Sequence, residues 1–142
     1  MTHERFQSAL QRIPYAAYLG ICLDSDSGIF TLPFRDDLVG NMHLRAVHGG
    51  AIGGFLENAA MIWLSITEDQ QRVPKPVDFS LDFLRSAQAR DSHAHCEVLR
   101  KGRRVAQVQV RCWQDDPQRP VSVGRGHFLL ESDVDSASDP AT

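Results

Sequence analysis

Residues 48–67 read HGGAIGGFLENAAMIWLSIT, and the fold turns on them. Apolar residues recur there at intervals of three and four: Ile52, Phe55, Leu56, Ala59, Ile62, Trp63 and Ile66. That is a helical period. The spacing predicts one helix from about His48 to Thr67, roughly 28 Å long at 1.5 Å per residue. Glycines stand at 49, 50, 53 and 54, at the start of this helix. Each costs about 1 kcal/mol relative to alanine, so something should offset them. Glycine lets another backbone or a ligand approach closely. A first helical turn also holds free N–H groups, backed by the helix dipole, that attract a negative oxygen. Either benefit suits a site for a carbonyl that becomes an oxyanion.

Glu57 falls on the same face of the predicted helix as Gly50, Gly53 and Gly54, beside Ala60 and Met61. The small residues form a groove with Glu57 along its floor, and an acid flanked by apolar groups is a candidate general base. A second reading stays open. Asn58, Ser65 and Glu68 lie within about 100° of Glu57 on the wheel, and the four could form an ordinary solvated stripe.

On the N-terminal side, Phe6, Ala9, Leu10 and Ile13 share a face of a helix over Thr2 to Ile13, which Pro14 stops. Residues 15–34, YAAYLGICLDSDSGIFTLPF, are expected as two strands around the turn DSDSG. Pro33 places the second strand at an edge or a bulge. Residues 35–47 are expected as a loop. After the helix, TEDQQRVPKP is a polar connection, and the rest alternates with period two. Val77, Phe79, Leu81 and Phe83 share one face, as do Ala94, Cys96 and Val98, and then Ala106, Val108, Val110 and Cys112. RKGRR is a hairpin turn, DDPQRP a second turn, and VSVGRGHFLLE the last strand. Such alternation means a sheet with one face covered. The fold class is therefore α+β, a curled antiparallel sheet around a central helix. Residues 1–131 are expected as one domain and 132–142 as a disordered acidic tail.

The 142 residues are 42% hydrophobic and 23% charged, with a formal net charge of −3. This balance fits one soluble domain and argues against a nucleic-acid or acidic-membrane partner. The N-terminus has no basic region followed by an apolar core, so no signal peptide is expected, and no apolar run is long enough to span a bilayer. Cys22, Cys96 and Cys112 are odd in number and widely spaced, against a disulfide framework or a CxxC zinc site. They are expected as three small buried thiols in a reducing cytosol. His93 and His95 share a strand face, but no third ligand stands at a recognisable spacing, so no metal is expected. There is no GxSxG turn. Asp78 and Asp82 fall off the apolar face and are expected to be solvated or interfacial.

HGGAIGGFLENAA, preceded by LVGN and followed by VDFSLDFLRSA and RKGRRVAQVQV, resembles the hotdog-fold acyl-CoA thioesterases, closest to their PaaI-like group, over about residues 15–131. The resemblance implies a homodimer or dimer of dimers in the cytoplasm, with sites at the subunit interface, that hydrolyses acyl-CoA to free acid and CoA without a cofactor. It implies Glu57 as general base or nucleophile and Gly49 as the N–H donor to the thioester oxygen. His48 would shape that donor pocket, and Asn41 would orient the water or the carbonyl. Gly50 and Met61 would line the substrate pocket. Lys101, Arg103 and Arg104 would meet the CoA phosphates, with Arg85 a further candidate. Two positions depart from relatives that carry a hydroxyl: Met61, one turn after the acid, and Pro76, before the strand VDFSLDF. The rival functions are a hotdog protein that binds acyl-CoA or another acyl ligand without hydrolysis, and a hotdog dehydratase or hydratase.

Overall fold

A computed structural model describes residues 2–68 and 70–131 of the chain; the expected tail at 132–142 lies outside them. Two short helices, α1 (Thr2–Arg12) and α2 (Pro14–Leu19), precede a hairpin of β1 (Cys22–Asp24) and β2 (Ile29–Leu32). A 3-10 turn, Asp36–Leu38, leads into a small ribbon of β3 (Val39–Asn41) and β4 (Ala46–Val47). The long helix α3 (Gly49–Thr67) follows, then β5 (Lys75–Phe83), β6 (Ser92–Lys101), β7 (Val105–Trp113) and β8 (Ser122–Leu129).

The main sheet has six strands in the order β1-β2-β6-β7-β8-β5, every neighbouring pair antiparallel. Its inner face is built by the period-two residues. Ala94, Ala106, Val108, Val110, Cys112 and Phe128 are fully buried there. Against them lies α3, whose Phe55, Leu56, Ala59, Ala60, Ile62 and Leu64 are also fully buried. A helix apolar nearly all round must be enclosed, and the sheet encloses it. α1 closes the end of the helix. Arg5 donates to the carbonyl of Ile66 (2.9 Å) and Arg12 to that of Gln70 (3.3 Å), near the end of α3 where backbone carbonyls run out of intrahelical partners.

Close approach of β5 to β8 needs glycine. A Cβ on Gly124 would lie 2.6 Å from the Phe79 ring, and one on Gly126 would lie 2.6 Å from both that ring and the backbone oxygen of Asp78. Phe79 therefore lies across two strand positions that carry no side chain. The connection from β5 to β6 has to cross the ends of β8 and β7, and buried Gln114 pins it. The Gln114 amide accepts from the Gln88 N–H (2.9 Å) and donates to the carbonyls of Gln88 (2.9 Å) and Arg90 (3.2 Å).

Several expectations need correction. Residues 14–19 are helix, not strand. Pro14 opens α2 at its first turn, and Gly20 closes it with a left-handed φ of 75°. β2 lies between β1 and β6 rather than at an edge, and it ends at Leu32, so Pro33 falls just outside the ladder. The segment 35–47 holds the 3-10 turn and the β3–β4 ribbon. In β5, a register shift between Pro76 and Asp78 breaks the alternation and leaves Val77 59% exposed, while Phe79 and Leu81 pack on the core. Cys22 is exposed; only Cys96 and Cys112 are buried, and burial pushes both thiols up, that of Cys112 to about 12.

Replacing Gly126 with alanine puts a methyl against the backbone oxygen of Asp78, which cannot swing aside as a side chain could. Stability should fall by about 1–3 kcal/mol, read by chemical denaturation. Unchanged stability would contradict this packing of β5 on β8.

Candidate active site

The site begins at the first turn of α3. His48 is its N-cap, and the Gly50 N–H donates to Nδ1 of His48 (2.8 Å). An accepting Nδ1 means a neutral ring with its proton on Nε2. The N–H groups of Ala51 and Ile52 both donate to the His48 carbonyl, at 2.9 and 3.2 Å. Gly49 is left: its N–H meets no acceptor among the described residues. The His48 ring itself is seated on Gly40, where a Cβ would lie 2.7 Å from Cδ2.

Gly49 lines a cleft of about 430 Å³ together with Ala46, Val47, Ile52, Phe83 and Leu84 and with the polar Arg85, Ser86 and Ser122. The crossing connection forms one wall, held by the Val47 N–H donating to the Ala87 carbonyl (2.8 Å). Arg85 is fixed by donating to the Pro120 carbonyl (2.6 Å). A cleft with one free N–H on its lining and the helix dipole behind it is suited to a carbonyl oxygen that gains negative charge.

Glu57 is half-buried and makes no hydrogen bond or ion pair with any described residue. It stands eight residues from Gly49, about 12 Å along the axis, and is not among the residues that wall the cleft. The solvated stripe that sequence left open beside it does not exist. Asn58 and Ser65 are each 5% exposed, and both turn back to their own helix. Asn58 donates to the Gly54 carbonyl (2.6 Å) and Ser65 to that of Met61 (2.9 Å).

The glycine groove is filled by the chain's own side chains. Gly49 faces the ring of Phe83, Gly50 the ring of His48, Gly53 a methyl of Leu81, and Gly54 the ring of Tyr15, at 2.7–3.2 Å from where each Cβ would be. Sequence reasoning missed Phe83, Leu81 and Tyr15 as the occupants. Their only signal was size opposite absence, which needs the topology to be read.

The remaining candidates are spread. Asn41 accepts the N–H groups of His43 and Leu44 at 3.0 Å each, closing the turn between β3 and β4. Met61 is buried. Lys101 pairs with Glu68 (2.6 Å) just past the last turn of α3, the far end of the helix from Gly49. Arg103 and Arg104, with Arg100, line a cleft of about 410 Å³ there. His93 meets Thr31 (3.0 Å), and among the described residues no three of His, Cys, Asp and Glu gather as a metal site. Asp78 is exposed and pairs with His127 (2.9 Å), whose hydrogen bond holds its carboxyl below the ordinary range. No helix among the described residues is long and apolar enough to cross a membrane.

Residues 38–129 match the family model described as the acyl-CoA thioesterase N-terminal domain. A protein of Chromobacterium violaceum of known structure is 39% identical over 91% of each chain, with a TM-score of 0.70. A thioesterase family protein from Silicibacter pomeroyi superposes with a TM-score of 0.76 at 18% identity, over 92% of this chain and 98% of that one. The PaaI protein of the E. coli phenylacetic acid degradation operon superposes at 0.71 with 20% identity, over 90% and 97%. No curated protein matches the chain. A helix enclosed by a curled antiparallel sheet, a match over most of the domain and these neighbours agree: the chain belongs to the acyl-CoA thioesterase family of hotdog-fold proteins, with PaaI-like relatives.

Proposed function

We propose that the protein hydrolyses acyl-CoA thioesters at a site shared by two copies of the chain. The supporting observation is the free N–H of Gly49, a residue on the lining of that cleft. The thioester oxygen rests on that N–H, which stabilises the developing charge by about 3 kcal/mol. Glu57 acts as general base on water or as nucleophile. CoA departs as a thiolate, which needs no strong acid. His48 fixes the donor by capping the turn, and Asn41 shapes the loop beside it.

Within one chain Glu57 is too far from Gly49 to act there. β5 is an edge strand, and Val77, Phe83 and Leu84 on and beside it are more than half exposed. An uncovered strand edge is a template for a second chain. Leu81 lies on Gly53 and Phe83 on Gly49, so two strand residues match one helical turn. Gly53 stands midway between Gly49 and Glu57. A two-fold axis across β5 near Leu81 therefore exchanges their levels and sets the partner's Glu57 opposite Gly49. It also turns the partner's Arg100–Arg104 hairpin toward this end of α3, where Arg103 and Arg104 take the CoA phosphates and Arg85 stands at the mouth.

Glu57→Gln should lower kcat by roughly 10²- to 10⁴-fold, the usual worth of a positioned acid or base, with the fold and dimer intact. Release of CoA thiol from a panel of acyl-CoAs is the assay. A wild-type rate in the variant refutes the role of Glu57, and saturable binding of acyl-CoA without turnover would favour a non-catalytic binder. Arg103→Ala should raise KM severalfold at unchanged kcat, and the difference from wild type should shrink as salt is added, because exposed charges are screened. A KM that does not move places the phosphates elsewhere.

A further inference from the structure

Tyr15 is 49% exposed, yet it is held in place. Its ring stacks on Tyr18, with centroids 6.1 Å apart and planes at 29°. The Arg35 guanidinium lies 4.9 Å from the centre of the Tyr18 ring, fixed by the Asp37 carboxylate (3.0 Å) and the Tyr18 carbonyl (2.6 Å). The other edge of Tyr15 rests on α3. A Cβ on Gly54 would meet Cε2 of Tyr15 at 2.9 Å and its hydroxyl oxygen at 3.5 Å. The hydroxyl thus lies on the surface of the turn that holds Gly54.

Helical side chains lean toward the N-terminus and cover the turn before their own. Over Gly54 those are residues 57 and 58. Asn58 is turned inward and spent on the Gly54 carbonyl. Glu57 is the other residue on that face, one turn beyond the glycine on which Tyr15 rests. Gly53, Ala60 and Met61 around it bring no hydrogen-bond donor. Neither the hydroxyl nor the carboxylate is hydrogen-bonded to any described residue, and Glu57 has three side-chain torsions with which to reach.

We propose that Tyr15 is a positioning residue for Glu57: rotation of the Glu57 side chain brings its carboxylate to the Tyr15 hydroxyl, which donates to it and holds it toward the reacting thioester, an inference that rests on the catalytic reading of Glu57 given above. A phenol donating to a carboxylate is a charge-assisted bond. The role also accounts for Gly54, since any side chain there would lift the tyrosine off the helix.

Tyr15→Phe keeps the ring and its stacking. It should lower kcat roughly 10- to 100-fold, the loss of one hydrogen bond to a charged group, with KM unchanged. Tyr18→Phe should change neither. Combined with Glu57→Gln, Tyr15→Phe should cost nothing further, because the two act as one unit. A wild-type kcat in Tyr15→Phe, or losses that simply add, would overturn the pairing. The chain has two tyrosines, so carbon-13 labelling of Cζ gives two signals. The Tyr15 signal should move on Glu57→Gln while that of Tyr18 stays. If the wild type turns over no acyl-CoA, the catalytic reading fails, and this signal alone decides the pairing: movement supports it and an unmoved signal overturns it.

Discussion

Everything in this molecule depends on how closely α3 is approached by its neighbours over its first two turns. Four glycines there sacrifice about 1 kcal/mol each of helix propensity. In their place sit a phenyl ring, a leucine methyl, an imidazole and a tyrosine ring. Apolar burial against the helix works against that loss, though Phe83 and Tyr15 remain about half exposed. With alanine at 53, the Leu81 methyl 2.7 Å away would have to turn aside. The glycines therefore let these side chains lie flat on the helix. Because β5 sets Phe83 against Gly49, they also form the wall of the cleft.

The same turn is economical in its polar groups. An α-helix begins with N–H groups that lack intrahelical partners. Here His48 alone satisfies three, one through its ring and two through its carbonyl. Gly40 is what lets the ring lie in that pose. The result is a helix start with its dipole intact and a single donor unspent. One free donor is more directional than a fully open turn, because an incoming oxygen has one place to settle. No charged side chain is needed for this.

Where one residue's neighbours lie along the chain, the sequence was legible. The 3.6 period from Ile52 to Ile66, the period two of β6 and β7, and the glycine of the RKGRR turn each encode local geometry, and each appears where it was expected. Residues 14–19 were misread because Ala16 and Leu19 are too few to show a helical period. The better signal was Pro14 opening and Gly20 closing a six-residue helix. Asn58 and Ser65 were misread for a different reason. Polarity predicts exposure unless a polar group can bond to its own helix one turn back, and both do. The glycines announced a close approach but could not name what approaches, because Phe83, Leu81 and Tyr15 come from strands and helices distant in sequence. The catalytic set came from resemblance, and nothing in the period of the chain separates Glu57 from a surface acid.

What raises Glu57 above a surface acid is the condition of its neighbours. Every other polar group near it on α3 has been turned inward and satisfied, while its carboxylate is half-buried and unpartnered. Its oxygens are not sealed from solvent, so the carboxylate is free to turn, toward the Tyr15 hydroxyl and toward a second copy of the chain. The spacing along α3 points the same way. Acid and N–H donor are separated by about two helical turns, so they cannot serve one carbonyl within a chain. They stand symmetrically about Gly53, where Leu81 of the uncovered strand touches the helix. On the reading proposed here, the edge of the sheet, the glycine at 53 and the distance from 49 to 57 are one geometric requirement. Two copies must meet at β5, and each must lend its acid to the donor of the other.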